Sequence, residues 1–424
     1  MRTALSFPWG RLRTNQFCEA FAAGLVRRER ETGAMRLRRR AMPAAAIALL
    51  LSAAWAAPAA ARDTAAPAAA EPKATWIPPL RTGNDDAYLQ LYGQIDKGLL
   101  VFDDGGSTLG YGPVDNGNSS TRAGLLLYGK VNDDWSVGGN LEWEWTPYAT
   151  VYVNQRNRGD FDWDSNQLRN AEVYLQSQTY GKLWLGQGSM ASDGSAEVDL
   201  SGTKVVGYAM ISDMAGGPFF RFADGTLTSI QVKDAFTDYD GLSRKLRIRY
   251  DTPQFYGFSL ASSVGTQVVP TTTDVTVWDI AARYQQTLRD FEVSGALAYS
   301  QPADNQSLID GSISILHQPS GLSLTVAAAY SDKETIEGRY GYVKLGYQTR
   351  IFEVGKTALS ADAYFGEDID AADSTSQSFG VQLVQNLDYL QTELYLGGRS
   401  YSYNEPGHDI DNSYAVLAGA RLKF

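Results

Sequence analysis

Ser413–Phe424 reads SYAVLAGARLKF, and its alternation governs the reading of everything before it. In an extended strand Tyr414, Val416, Ala418, Ala420, Leu422 and Phe424 point one way, and Ala415, Leu417, Gly419, Arg421 and Lys423 point the other. One face is apolar and the other ends in two cations. From Ala87 onward the same grammar recurs in segments of about 8 to 14 residues, joined in turn by short and by longer connections. WSVGGNLEWEW (135–145) sets Trp135, Val137, Leu141, Trp143 and Trp145 against Ser136, Asn140, Glu142 and Glu144, and RKLRIRYDT (244–252) alternates three cations with Leu246, Ile248 and Tyr250. Sixteen such segments are legible, the last of them the C-terminal one, with one long interruption from about Ser189 to Ser243.

The 424 residues include 24 Tyr, 9 Trp, 16 Phe and 41 Gly, a composition that suits many short strands with polar turns. MRLRRRAMPAAAIALLLSAAWAAPAAARD, beginning at Met35, has the basic head, short apolar middle and small-residue Ala59-Ala60-Ala61 site of a secretory signal peptide over 35–61. Residues 1–34 lack this logic and read as a mis-assigned start or an extended leader. The Ala/Pro-rich stretch 62–86 reads as a flexible periplasmic tether ahead of a domain over 87–424. Removing 1–61 takes away ten of 37 Lys+Arg, three of 48 Asp+Glu and the only cysteine, Cys18, leaving a formal charge of −18. An exported chain without thiols has no disulfide framework. Such acidity excludes nucleic acid as a partner, because little is left to neutralise phosphates.

A soluble sandwich or propeller would also alternate. Three features oppose it. Aromatics such as Trp143, Trp145, Tyr299 and Tyr330 stand near strand ends on the apolar face, where interfacial girdles lie. The opposite face is rich in Gly, Ser and Ala with scattered charges, which suits a wet lumen. Short turns alternate with longer loops, as when one end faces the periplasm and the other the exterior. A bilayer forbids unpaired backbone polar groups, so such strands must close into a cylinder, the sixteenth pairing with the first. About 16 strands leave an aqueous channel. The fold expected is all-β, a transmembrane antiparallel β-barrel contacting outer-membrane lipids.

The order of signal peptide, sixteen strands, a long insert after the fifth and a terminal LKF resembles the general porins of Gram-negative bacteria, and among them the alphaproteobacterial type. NAEVYLQSQTYGKLWLGQGSMASDGSAEVDLSGT (170–203) is similar to the segment leading into their inward-folded third loop. The resemblance implies passive diffusion of small hydrophilic solutes and ions, a homotrimer, and recognition of Phe424 by the outer-membrane assembly machinery. It also implies a constriction in which loop acids face a basic wall.

The candidate acids in 189–243 are Asp193, Glu197, Asp199, Asp213 and Asp224, with a bend at Gly216-Gly217-Pro218 that packs Phe219-Phe220 on the wall. Alternation turns Arg122, Lys130, Lys245, Arg247, Arg249, Arg283 and Arg399 inward. A charge on the lipid face at mid-depth would cost about 2–4 kcal/mol. Strict parity puts Arg169 outside with Ala171, Val173 and Leu175, whereas the resemblance makes it a pore-wall arginine; a bulge or a position above the membrane would reconcile the two. The narrowest point is expected between Asp193, Glu197 and Asp199 and Arg122, Arg247 and Arg249, with net acidity giving a mild preference for cations.

An enzyme is not expected. His317 and His408 lie at opposite ends of the barrel, neither with a nucleophile at a recognisable spacing. No thiol or histidine cluster points to a transition metal, EDIDAADS (367–374) reads as a solvated charge run rather than a calcium loop, and no cofactor is implied. The alternatives left open are a substrate-selective channel and a soluble exported carbohydrate-binding β-protein.

Overall fold

The computed structural model describes residues 75–158, 166–268, 275–303 and 305–424. The leader readings for 1–34 and 35–61, and the tether over 62–74, lie outside the described residues. In chain order the strands are β1 (Leu80–Gly83), β2 (Ala87–Asp103), β3 (Thr108–Asp115), β4 (Arg122–Lys130), β5 (Trp135–Trp145), β6 (Asn166–Ser177), β7 (Gly181–Ser189), β8 (Phe219–Arg221), β9 (Leu227–Gln231) and β10 (Arg244–Asp251). There follow β11 (Phe258–Thr266), β12 (Thr276–Leu288), β13 (Phe291–Ala303), β14 (Gln306–His317), β15 (Leu322–Lys333), β16 (Ile336–Phe352), β17 (Gly355–Glu367), β18 (Thr375–Leu387), β19 (Thr392–Asn404) and β20 (Ser413–Lys423).

Sixteen of these, all except β1, β3, β8 and β9, form one closed antiparallel wall. Each pairs with its sequence neighbours in the ring, and β7 pairs with β10 across the long insert. Closure falls on β2, whose lower half pairs with β4 and whose upper half, Gln94–Asp103, pairs with β20. Phe424 and Gly93 then exchange both backbone hydrogen bonds, at 3.0 and 3.1 Å. Among the described residues no wall strand keeps a free edge, which is the condition for crossing hydrocarbon.

The pleat sorts the side chains as alternation requires. Leu99, Leu345 and Val381 on the outer face are each 63% exposed, while Asp96, Asp279 and Asp310 on the inner face have no exposure. Apolar surface on this scale is tolerable only against lipid. Exposed aromatics cluster at both rims: Trp143, Trp145 and Tyr414 at the long-loop end, Phe255, Tyr256, Phe291, Phe352 and Tyr389 at the short-turn end.

Three elements depart from the expected plan. Within the stretch read as a tether, the described residues 75–86 are attached to the barrel: β1 pairs with the lower half of β2, and the Trp76 indole donates to the Leu390 carbonyl at 2.9 Å. β3 lies on β2 opposite β20. The long insert contains the β8–β9 hairpin and a four-residue helix, α1 (Val232–Ala235).

That insert folds into the barrel and is tied to its inner wall. The amides of Val198 and Leu200 each donate to a β14 hydroxyl, Ser312 and Ser314, both at 2.9 Å. The Thr203 and Ser360 hydroxyls are 2.7 Å apart, and the Asn116 amide reaches the Val205 carbonyl at 2.7 Å. Further round, Tyr401 and Tyr364 hydroxyls donate to the carbonyls of Ile211 (2.9 Å) and Thr237 (2.6 Å). Between loop and wall lies the apolar core: Val206, Ile211, Met214, Phe220 and Phe236 pack on Tyr364, Tyr395, Tyr401 and Tyr403. Phe220 sits 5.7 Å from the Tyr403 ring and 6.4 Å from Phe236, consistent with the wall-packed bend read from the sequence. The loop thus occupies the half of the lumen bounded by β14–β20.

Candidate functional site

Opposite the loop, strands β4, β5, β6, β7 and β10 carry inward charges. Arg169 is the extra residue of a bulge, since Glu142 pairs with Asn170 and the next residue, Trp143, pairs with Leu168. A bulge inserts one residue and turns a side chain to the other face. The Arg169 guanidinium accordingly faces the lumen, donating to Glu142 at 2.7 Å and to Glu144. Arg122 stands across from it, 3.9 Å from Glu142. Arg247 is buried against Glu172 and also donates to the Ser189 and Gly186 carbonyls, at 3.0 and 3.1 Å. Arg249 pairs with Asp251 at 2.8 Å and donates to the Met190 carbonyl at 2.8 Å. Arg421 on β20 pairs with Glu393. Each of these wall arginines therefore lies in ion-pair reach of a wall carboxylate, with Glu142 shared by Arg122 and Arg169, pairings that the sequence reading did not assign. The signal for them was visible in Glu142 and Glu144, on the polar face of 135–145.

The root of the loop is held by two further cations. Arg283 donates to the carbonyls of Ala191 and Asp193, at 2.9 and 2.8 Å, and Lys245 to that of Leu242 at 2.8 Å. Arg244, outside the sequence-based set, lies 3.7 Å from the Asp193 carboxylate. As the first residue of β10, it stands between loop and wall.

The five loop acids divide. Asp193 and Glu197 keep partial access to the lumen, the latter 3.1 Å from Lys204. Asp199 turns the other way and meets the fully buried Lys344 ammonium at 2.7 Å, far round the wall from Arg122, Arg247 and Arg249. Burial opposes its charge, but Lys344 outweighs that and holds the carboxyl below the usual range. Asp213 is also enclosed, bonded to the Tyr208 hydroxyl, and burial pushes its carboxyl up to about 7. Asp224 is exposed at the β8–β9 turn, bonded to Thr226. The structure thus brings Asp193 together with Arg244 and Arg283, and separates Asp199 and Asp213 from the basic wall. Lys130 ends at a short turn beside Asp133, at 2.8 Å, and Arg399 is buried against Asp362, also at 2.8 Å.

His317 bonds Ser320 at a short turn (2.7 Å), whereas His408 stacks on Phe222 in a long loop. Among the described residues no group of three or more His, Cys, Asp or Glu gathers in metal-ligating geometry.

Solved structures with the same fold include the anion-selective porin of Comamonas acidovorans, with 17% identity and a TM-score of 0.53 over 80% of this chain and 100% of that one. OmpT of Vibrio cholerae aligns at 12% identity and TM-score 0.52, over 81% and 100%. OmpF of Salmonella typhi, solved with daunomycin, aligns at 14% and 0.51 over the same shares. These likenesses are of fold. A search of curated proteins finds no match. A family model described as Gram-negative porin matches residues 46–406, and the chain belongs to that family, the outer-membrane β-barrel channels of passive diffusion.

Proposed function

We propose that solutes pass beside the wall formed by β4–β10 and are selected there by the charges of loop and wall, with Asp193 and Glu197 on one side and Arg122, Arg169, Arg244 and Arg249 on the other. Asp199, Asp213, Arg247, Lys245 and Arg283 act from behind this passage, fixing the loop to the barrel. Fixed charges of opposite sign across a narrow wet gap favour small polar solutes and disfavour apolar ones. The observation that carries the reading is the pairing on the wall itself. Because Arg122, Arg169, Arg247, Arg249 and Arg421 each have a wall carboxylate, their positive field is largely cancelled. Asp193, Glu197 and the acidity of the whole chain then tip selectivity mildly toward cations. Reversal potentials in a KCl gradient across a planar bilayer test this. Potassium is expected to carry the larger share, with a shift toward chloride in D193N/E197Q, and a chloride-selective parent channel would overturn the reading.

We infer that the channel is a homotrimer. Support comes from a groove on the lipid face lined by Leu89, Leu125, Leu127, Leu141, Val173 and Leu185 over Gly139 and Ala171, into which apolar side chains of a second copy would fit. OmpT of Vibrio cholerae, a neighbour in fold, is described in a trimer form. The terminal ring of Phe424 lies over Gly93, where a Cβ would come within 2.7 Å of it. That position on the lipid-facing side supports its reading by the assembly machinery before the barrel closes.

A further inference from the structure

Below the charged passage, toward the short-turn end, one hydrogen-bonded row crosses six strands: Tyr88 pairs with Tyr128, Tyr128 with Gly138, Gly138 with Tyr174, Tyr174 with Trp184 and Trp184 with Arg249. All six have the parity opposite to the lipid-facing Leu89, Leu127, Val137, Val173, Leu183 and Ile248, so the row faces the lumen. The four rings are half-buried, leaving part of each open to the channel. Tyr88 and Tyr128 stack nearly flat, with centroids 5.1 Å apart and planes 24° apart, and Tyr174 meets Trp184 edge-on at 5.1 Å. The row is continuous because β5 contributes a glycine. A Cβ at Gly138 would stand 2.4 Å from the Tyr174 hydroxyl, so the tyrosine lies across that position.

Cations bracket the rings. The Arg81 guanidinium lies 3.9 Å from the Tyr88 centroid, and the Lys182 ammonium 3.7 Å from those of both Tyr174 and Trp184. Lys182 lies on these ring faces, with Asp251 its register partner on β10 and Glu172 also nearby. Among the described residues no carboxylate comes within 4 Å of it, whereas the arginines of the passage above all have one. An ammonium seated on two ring faces, with no carboxylate in contact, can still take one from a solute. The part of a solute that would also gain from the rings is planar and apolar.

We propose that this row is a binding shelf for aromatic carboxylates on the periplasmic side of the passage, with the solute ring against Tyr128 and Tyr174 and its carboxylate on Lys182. The inference rests on the chain conducting as a channel and adds a solute class to it. Such a site raises the occupancy of the channel by benzoate at low concentration, and with it the flux in whichever direction the gradient runs.

Single-channel current in KCl with sodium benzoate tests it, using sodium acetate as the charge-matched control and maltose as a neutral ring. Benzoate is expected to give concentration-dependent current interruptions, stronger from the short-turn side, and acetate and maltose none. Y128L/Y174L/W184L and, separately, K182Q should weaken benzoate at least tenfold while keeping the KCl conductance. Y128F/Y174F, which retains the rings and the fold, should bind as the parent does. Interruption by acetate equal to that by benzoate, interruption by maltose alone, or undiminished benzoate binding in the triple variant would overturn the shelf alone. Absence of any KCl current would overturn the channel reading and the shelf with it.

Discussion

Lys344 and Asp199 illustrate how single residues hold the inserted loop in place. Their side chains are 0% and 2% exposed, and the ammonium also donates to the Gly207 carbonyl at 2.7 Å, so one pair ties two points of the loop to β16. Removing one partner leaves a buried charge uncompensated, at about 3–5 kcal/mol. K344M is therefore expected to lower the midpoint of heat-modifiable gel migration and expose the loop to protease, and the double variant K344M/D199L to recover most of both. An undisturbed K344M would mean that the pair does not anchor the loop. The sequence identified Asp199 as a loop acid but not its direction, because its partner lies 145 residues away and nothing local couples them. Arg169 is the opposite case. Its parity and its resemblance disagreed, and the bulge at Glu142 and Trp143 resolves the conflict in favour of the lumen. Arg244 escaped notice because it is the first residue of β10, where alternation has only begun.

At the scale of elements, each strand holds its register through two faces that demand different solvents. β10 is the clearest, with Leu246, Ile248 and Tyr250 about half exposed to lipid and Arg247 buried behind them. Placing a cation at Ile248 costs about 2–4 kcal/mol if that face meets hydrocarbon at mid-depth. I248K should shift the urea midpoint for refolding into lipid vesicles by that amount, I248L should leave it nearly unchanged, and equal behaviour of the two would place this face in water. All sixteen wall strands were legible because period-2 patterning is imposed directly by the two solvents. β3 was not, since TLGYGPVD puts two glycines and a proline where the pattern would repeat. The insert was recognisable by its length and acids only. Its path is set by bonds from its backbone to Ser312, Ser314, Tyr364 and Tyr401 on distant strands, and such bonds leave no periodicity in the loop.

For the whole molecule, closure is the decisive property. β20 seals against β2, the outer face carries the exposed leucines, valines and aromatic rims, and the loop packs on one side of the interior, away from the charge-paired wall. A cylinder of this strand number holds water unless its interior is packed shut. The loop packs half of it and ties itself to the wall by hydrogen bonds, which fixes the passage rather than closing it. Conductance of the purified chain in a planar bilayer tests this most directly. The account predicts discrete, ohmic current steps in KCl as single molecules insert. A bilayer that stays silent while the protein is folded and inserted would contradict it.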